Sequence, residues 1–136
     1  MTPRSETRRA SRADAVIYLG KAREFVTAAE ESLRLGNRIA ATGNAVIAGI
    51  ASADAISAAR AGVVWQGEHL QAARHVENVG GSEGSRAAAH LRKLVPLKNR
   101  AEYDPSPIEE AVAKRSVQAA LRILAIAEAV VGDPPA

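Results

Sequence analysis

The chain has 136 residues, a formal net charge of +3 and no cysteine, a single-domain length that can bury a core without covalent staples. The missing thiols exclude disulfides, thiolate metal centres and cysteine nucleophiles, and the composition suits a cytoplasmic protein. Aromatic residues make up only 3% of the chain against 47% hydrophobic overall, so alanine and aliphatic side chains must fill the core, which favours closely packed helices over strands.

The charge is unevenly placed. Arg4, Arg8, Arg9 and Arg12 against Glu6 give residues 1–13 the whole net charge of +3, and the remainder balances. The basic balance therefore belongs to the arm and does not mark a nucleic-acid-binding face on the body. This stretch has no apolar run able to serve as a signal peptide and reads as a disordered basic arm. Residues 14–132 read as one helical domain and 133–136 as a C-terminal tail.

The first helix is expected from about Asp14 to Leu35, with Val16, Leu19, Ala22, Val26, Ala29 and Leu33 on one stripe and Gly36-Asn37 as its stop. The second runs from about Asn37 to Ala61. Within it, residues 39–59 carry Asp54 as their only charge, but Thr42, Gly43, Asn44, Gly49, Ser52 and Ser57 dilute the apolar run. A buried central helix fits this pattern better than a membrane span. A connection containing Val63, Val64 and Trp65 leads to a third helix over about Glu68 to Val79. Gly80-Gly81-Ser82-Glu83-Gly84 is expected to be a flexible break.

A fourth helix begins near Ser85, with Ala87, Leu91, Leu94 and Lys98 along one stripe, and Pro96 must bend it or end it and restart a turn. The last helix has the strongest start signal, Ser106 as N-cap, Pro107 in first position and Glu109 in third. Its inner stripe is Ala113, Val117, Ala120, Leu124, Ala127 and Val131, closed by Gly132 and Pro134. The expected fold class is all-α, a bundle of four to five helices with no convincing strand.

No phosphate loop is present, because the glycine cluster at 80–84 neither follows a strand nor carries the lysine and hydroxyl such a loop needs. His69 and His75 are six apart and do not share a helical face as an i, i+4 pair would, so no metal site is expected, and no cofactor. Asp54 shares an otherwise apolar stripe with Asn44, Ile47, Ala51 and Ala58. A carboxylate there needs a partner, either a structural contact to a neighbouring arginine or a role orienting a site arginine. Between Arg86 and Arg100 the chain holds Arg86, Arg92, Lys93, Lys98 and Arg100 with no acidic residue, and Tyr103 follows. Such a run contacts phosphates or forms a solvated helix face. Trp65 beside Val63-Val64 marks a subunit interface or folds back over the bundle end.

Four segments together resemble a HEPN domain: Tyr18-Leu19-Gly20-Lys21-Ala22, Ala53-Asp54-Ala55-Ile56, Glu68-His69-Leu70, and Leu97-Lys98-Asn99-Arg100-Ala101-Glu102-Tyr103-Asp104 before a long final helix. The resemblance covers roughly residues 14–131. It implies a helical bundle, a homodimer, and a toxin-antitoxin, defence or RNA-processing context with an antitoxin or nucleotidyltransferase as partner. In many members an arginine and a histidine four to six residues beyond it form a metal-independent RNase site. Here Arg100 has no such histidine, and Arg86-Ala87-Ala88-Ala89-His90 is the nearest substitute. Without it, cleavage at a 2′-hydroxyl lacks a proton carrier near neutral pH.

The favoured expectation is therefore a non-catalytic protein that binds RNA, a nucleotide or a protein partner, with Lys98, Asn99, Arg100, Tyr103 and Asp54 as ligand-binding candidates. The alternatives are a degenerate RNase, with Arg100, Tyr103 and His90 as catalytic candidates, and a module with only a protein-interaction role.

Overall fold

In the computed structural model residues 6–132 are described, and they form an all-α bundle with a small two-stranded ribbon beside it. The elements in chain order are β1 (Thr7–Arg9), α1 (Arg12–Arg34), α2 (Arg38–Ala61), β2 (Val63–Trp65), α3 (Ala72–Val79), α4 (Gly81–Leu94), α5 (Leu97–Glu102) and α6 (Glu110–Val131). A short 3-10 turn over His69–Gln71 leads into α3.

Helix α2 is the centre of the bundle, packed against α1, α6, α4, α5 and α3. Its alanines allow this, since Ala41, Ala45, Ala48, Ala55 and Ala58 are buried and let neighbouring helices approach closely. By length and composition α2 could cross a membrane; in the bundle it buries Thr42, Ser52 and Ser57 among its neighbours instead. The core around it is completed by Leu91 and Leu94 of α4 and Ile123 of α6, all fully buried. Every member of the expected α6 stripe is buried. On α1 the stripe shifts by one residue at its start: Ala15 is fully buried and Val16 is 49% exposed.

Helix ends follow local chemistry. Ser11 caps α1 through a reciprocal box, its Oγ accepting from the Asp14 amide at 3.0 Å and its own amide donating to Asp14 Oδ2 at 2.8 Å. This starts the helix two residues before the expected Asp14. Gly36 at φ 78 ends α1, and the Asn37 amide returns to the Ser32 carbonyl at 2.8 Å. Pro96 stops α4 after Leu94 and a new turn begins at Leu97.

Four expectations are corrected. Residues 7–13 are not a disordered arm: Thr7, Arg8 and Arg9 pair antiparallel with Trp65, Val64 and Val63, and Arg12 and Ala13 already belong to α1. The ladder continues through Ala10 N–H to the Gly62 carbonyl and Gln66 N–H to the Glu6 carbonyl, so β2 supplies the backbone partners this arm lacks alone. Residues 1–5 and 133–136 lie outside the described residues. The bundle thus does contain strands. The glycine cluster is not a loose break either, because α4 starts at Gly81 and Gly80 and Gly84 pack against the last turn of α3.

The last correction concerns α6, which begins at Glu110 rather than Pro107. The Ser106 amide donates to Asp104 Oδ1 at 2.8 Å in a turn. The Pro107 carbonyl, which a helix begun there would offer to the Ala111 amide, accepts from Arg100 instead, at 3.1 Å. Residues 105–109 therefore stay outside the helix, anchored by buried Ile108.

Candidate functional site

The basic run between Arg86 and Arg100 divides among three environments. Arg92 is spent in a two-pronged pair with Glu77 of α3, at 2.9 and 3.0 Å. Lys98 pairs with Glu102 one turn on, at 3.0 Å, and lies 5.8 Å from the Tyr103 ring centre. That contact holds its pKa above the ordinary lysine value and the Glu102 carboxyl below its own. Tyr103 is 75% exposed, and the Asn99 side chain is exposed while its carbonyl accepts from the Tyr103 and Asp104 amides. Lys93 and Arg100 turn toward a cavity.

That cavity is a groove between α4–α5 and α6. Two adjoining hollows of about 340 and 220 Å³ share Lys93, Arg115 and Ala119. On α4 and α5, His90, Lys93, Leu97 and Arg100 follow one another at three- and four-residue steps, a single face that survives the break at Pro96. Across the groove Arg115, Ala119 and Arg122 do the same on α6, and the small Ala119 leaves the floor open. Lys93, Arg100, Arg115 and Arg122 therefore converge, and among the described residues no carboxylate lines either hollow. Among the described residues, Lys93, Arg115 and Arg122 form no salt bridge.

His90 sits in the same groove. Burial, then the charges of Arg122 and Lys93, hold its pKa below the ordinary histidine value, so the imidazole is neutral at physiological pH. The other two histidines lie elsewhere: His69 is in the 3-10 turn, close enough to feel Glu102, and His75 lies beside Trp65. Among the described residues no three His, Asp or Glu side chains group as metal ligands do.

Asp54 is distant from this groove and from α5. It lies eleven residues along α2 from Gly43, the position beside Ala101 of α5, and at the helical rise this is about 16 Å. Its surroundings are Arg8 of β1 and Lys21 of α1, whose charges partly oppose a burial that pushes the carboxyl up to about 7. Arg8 also donates to the Tyr18 hydroxyl, and Lys21 lies 6.0 Å from the Tyr18 ring centre. Among the described residues Asp54 accepts no hydrogen bond and forms no ion pair within 4.0 Å. The arginine beside it thus comes from the N-terminal strand, and Arg100 is not oriented by it.

The expected set of Lys98, Asn99, Arg100, Tyr103 and Asp54 is therefore dispersed, with only Arg100 reaching the groove. Arg115 and Arg122 complete the site from a helix not singled out by sequence. Their signal is the absence of any acidic residue between Glu110 and Glu128 while Lys114, Arg115 and Arg122 accumulate. Trp65 folds back, its Nε1 donating to the Glu68 carbonyl at 2.8 Å. No family model, curated protein or solved structure matches the chain.

Proposed function

We propose that this is a HEPN-like, non-catalytic protein that binds the phosphate backbone of RNA in the groove between α4–α5 and α6, in a defence or toxin-antitoxin context. The observation that carries the reading is the convergence of Lys93, Arg100, Arg115 and Arg122 on one groove with no carboxylate among its described lining residues. Adjacent unpaired cations are costly unless an anion joins them, and a polyphosphate chain running along the groove meets them in sequence. The same reading includes a homodimer, supported by Val16 and Ile17 side by side on α1, 49% and 59% exposed; sedimentation at micromolar concentration should give twice the chain mass.

Binding of a mixed-sequence single-stranded RNA, followed by fluorescence anisotropy at several salt concentrations, tests the groove. The double variant Arg115→Ala/Arg122→Ala should lose about 10- to 100-fold in affinity and show a shallower salt dependence. Lys98→Ala and Tyr103→Ala should bind like wild type. Undiminished binding by the double variant would remove the groove from consideration.

His90 adds a pH dependence. Its pKa is depressed in the free protein, and a phosphate between Lys93 and Arg122 would raise it, so affinity should strengthen as pH falls through the histidine range. His90→Asn should flatten that dependence. The neutral imidazole between two cations also favours a second reading, RNA cleavage. Metal-free incubation with RNA that yields fragments, lost in His90→Asn, would establish it over simple binding.

A further inference from the structure

A separate cavity of about 620 Å³ shares no residue with the basic groove. One wall is the outer face of α3, carrying Arg74, His75 and Asn78; facing contributions come from Glu6 ahead of β1 and from Glu68, with Trp65 between them. Its size is ordinary for a small-molecule site.

The cavity is built rather than incidental. The indole is fixed by its Nε1 bond to the Glu68 carbonyl. Gly67 packs so closely that a Cβ there would lie 2.7 Å from Cζ2 of Trp65 and 3.2 Å from Cδ of Glu6, so the turn holds ring and carboxylate together. The His75 ring lies 5.8 Å from the indole, tilted by 33°. Its buried Nε2 has no hydrogen-bond partner among the described residues, an uncommon condition for a buried polar atom.

The charges of this cavity are unpaired among the described residues, as those of Lys93, Arg115 and Arg122 are in the basic groove, but here both signs are present. Arg23, Arg34, Arg60, Arg92, Lys98 and Lys114 each hold a carboxylate. Among the described residues Arg74, Glu6 and Glu68 form no ion pair, with one another or with anything else, although all three line one cavity. A purely anionic ligand would meet two glutamates, and a purely cationic one would meet Arg74. A molecule carrying both charges satisfies both walls.

We propose that this cavity binds a small zwitterion with a flat apolar side chain, of the kind a free aromatic α-amino acid provides. Its carboxylate pairs with Arg74, its ammonium lies at Glu6 and Glu68, and its ring lies along Trp65 and His75.

Trp65 is the only tryptophan, so its emission reports occupancy directly. Titration of the whole protein with L-phenylalanine should give a saturable change. Phenethylamine, which lacks the carboxylate, and 3-phenylpropionate, which lacks the ammonium, should each bind about tenfold more weakly or worse, since each leaves one charged wall unpaired. Arg74→Ala should reduce L-phenylalanine to the affinity of phenethylamine and leave phenethylamine unchanged. Arg74→Gln serves the same purpose if the alanine variant loses helical circular dichroism. Three results would overturn the proposal: no saturable response up to about 10 mM L-phenylalanine, where any specific site of useful affinity would be filled; equal binding of all three probes; or an equal loss for all three in the Arg74 variants.

Discussion

Gly84→Ala should destabilise the protein by about 2–4 kcal/mol, the range for a forced backbone clash in a packed interior. A Cβ at Gly84 would lie 2.3 Å from the carbonyl oxygen of Val76. That oxygen cannot swing aside as a side chain would, because it accepts from the Gly80 amide at 2.9 Å and belongs to the last turn of α3. Gly80 is wedged in the same corner, where a Cβ would meet Gly84 Cα at 2.7 Å. Relief requires opening the contact between α3 and α4, which exposes fully buried Val76. Gly49 is the control: a Cβ there would meet Cδ1 of Leu94 at 2.7 Å, but that is the end of a side chain, and Gly49→Ala should cost only about 1 kcal/mol. Urea unfolding followed by circular dichroism should show a much lower midpoint for Gly84→Ala at an unchanged slope. A midpoint near wild type would mean that the corner opens freely.

Asp54→Asn should have the opposite sign. Burial pushes the Asp54 carboxyl up to about 7 in the fold, from 3.8 ordinarily. Above the folded value the carboxylate is ionised in both states, and the fold bears its full desolvation cost. As pH falls through about 7 toward 3.8, the folded protein takes up a proton that the unfolded chain does not, and that cost is progressively relieved. Asparagine never ionises. The variant should therefore be more stable than wild type by about 2–4 kcal/mol at mildly alkaline pH, with the advantage shrinking steadily on acidification. Comparing the two proteins at each pH isolates Asp54 from Asp14, Glu77, Glu83, Glu102 and Asp104, whose lowered pKa values destabilise the fold in acid. A pH-independent difference would assign Asp54 no ionisation of its own.

Helix order, the turn at Gly36 and the α6 stripe were legible because each depends on spacing within one segment. The ribbon was not, since Thr7–Arg9 has no strand-like composition and takes its conformation from a partner strand centred on Val64, 56 residues beyond Arg8. The glycine cluster was misread for a related reason: glycine permits both looseness and close approach, and only the position of Val76 decides between them. Ser106-Pro107 carried a valid helix-start signal, but Arg100 claimed the carbonyl that the first turn needed. For the site, the basic run on α4–α5 was visible, yet which cations are free depends on Glu77 and Glu102 taking Arg92 and Lys98. The contribution of Arg115 and Arg122 required knowing that α6 lies beside α4.

The three-residue ribbon has one further consequence, for the order in which the molecule comes apart. Its ladder joins distant parts of the chain and buries Val64 and Ala10 but little else, so it is among the first units to open in the native state. When it opens, Arg8 leaves the neighbourhood of Asp54, and the carboxyl loses a charge that lowers its pKa. While Asp54 itself stays buried, opening therefore draws a proton onto α2, and acid in turn favours opening. Fraying of the chain's first strand and the protonation of its central helix are one coupled event, detectable as amide exchange at Arg8 and Val64 that depends on pH less steeply than chemistry alone requires.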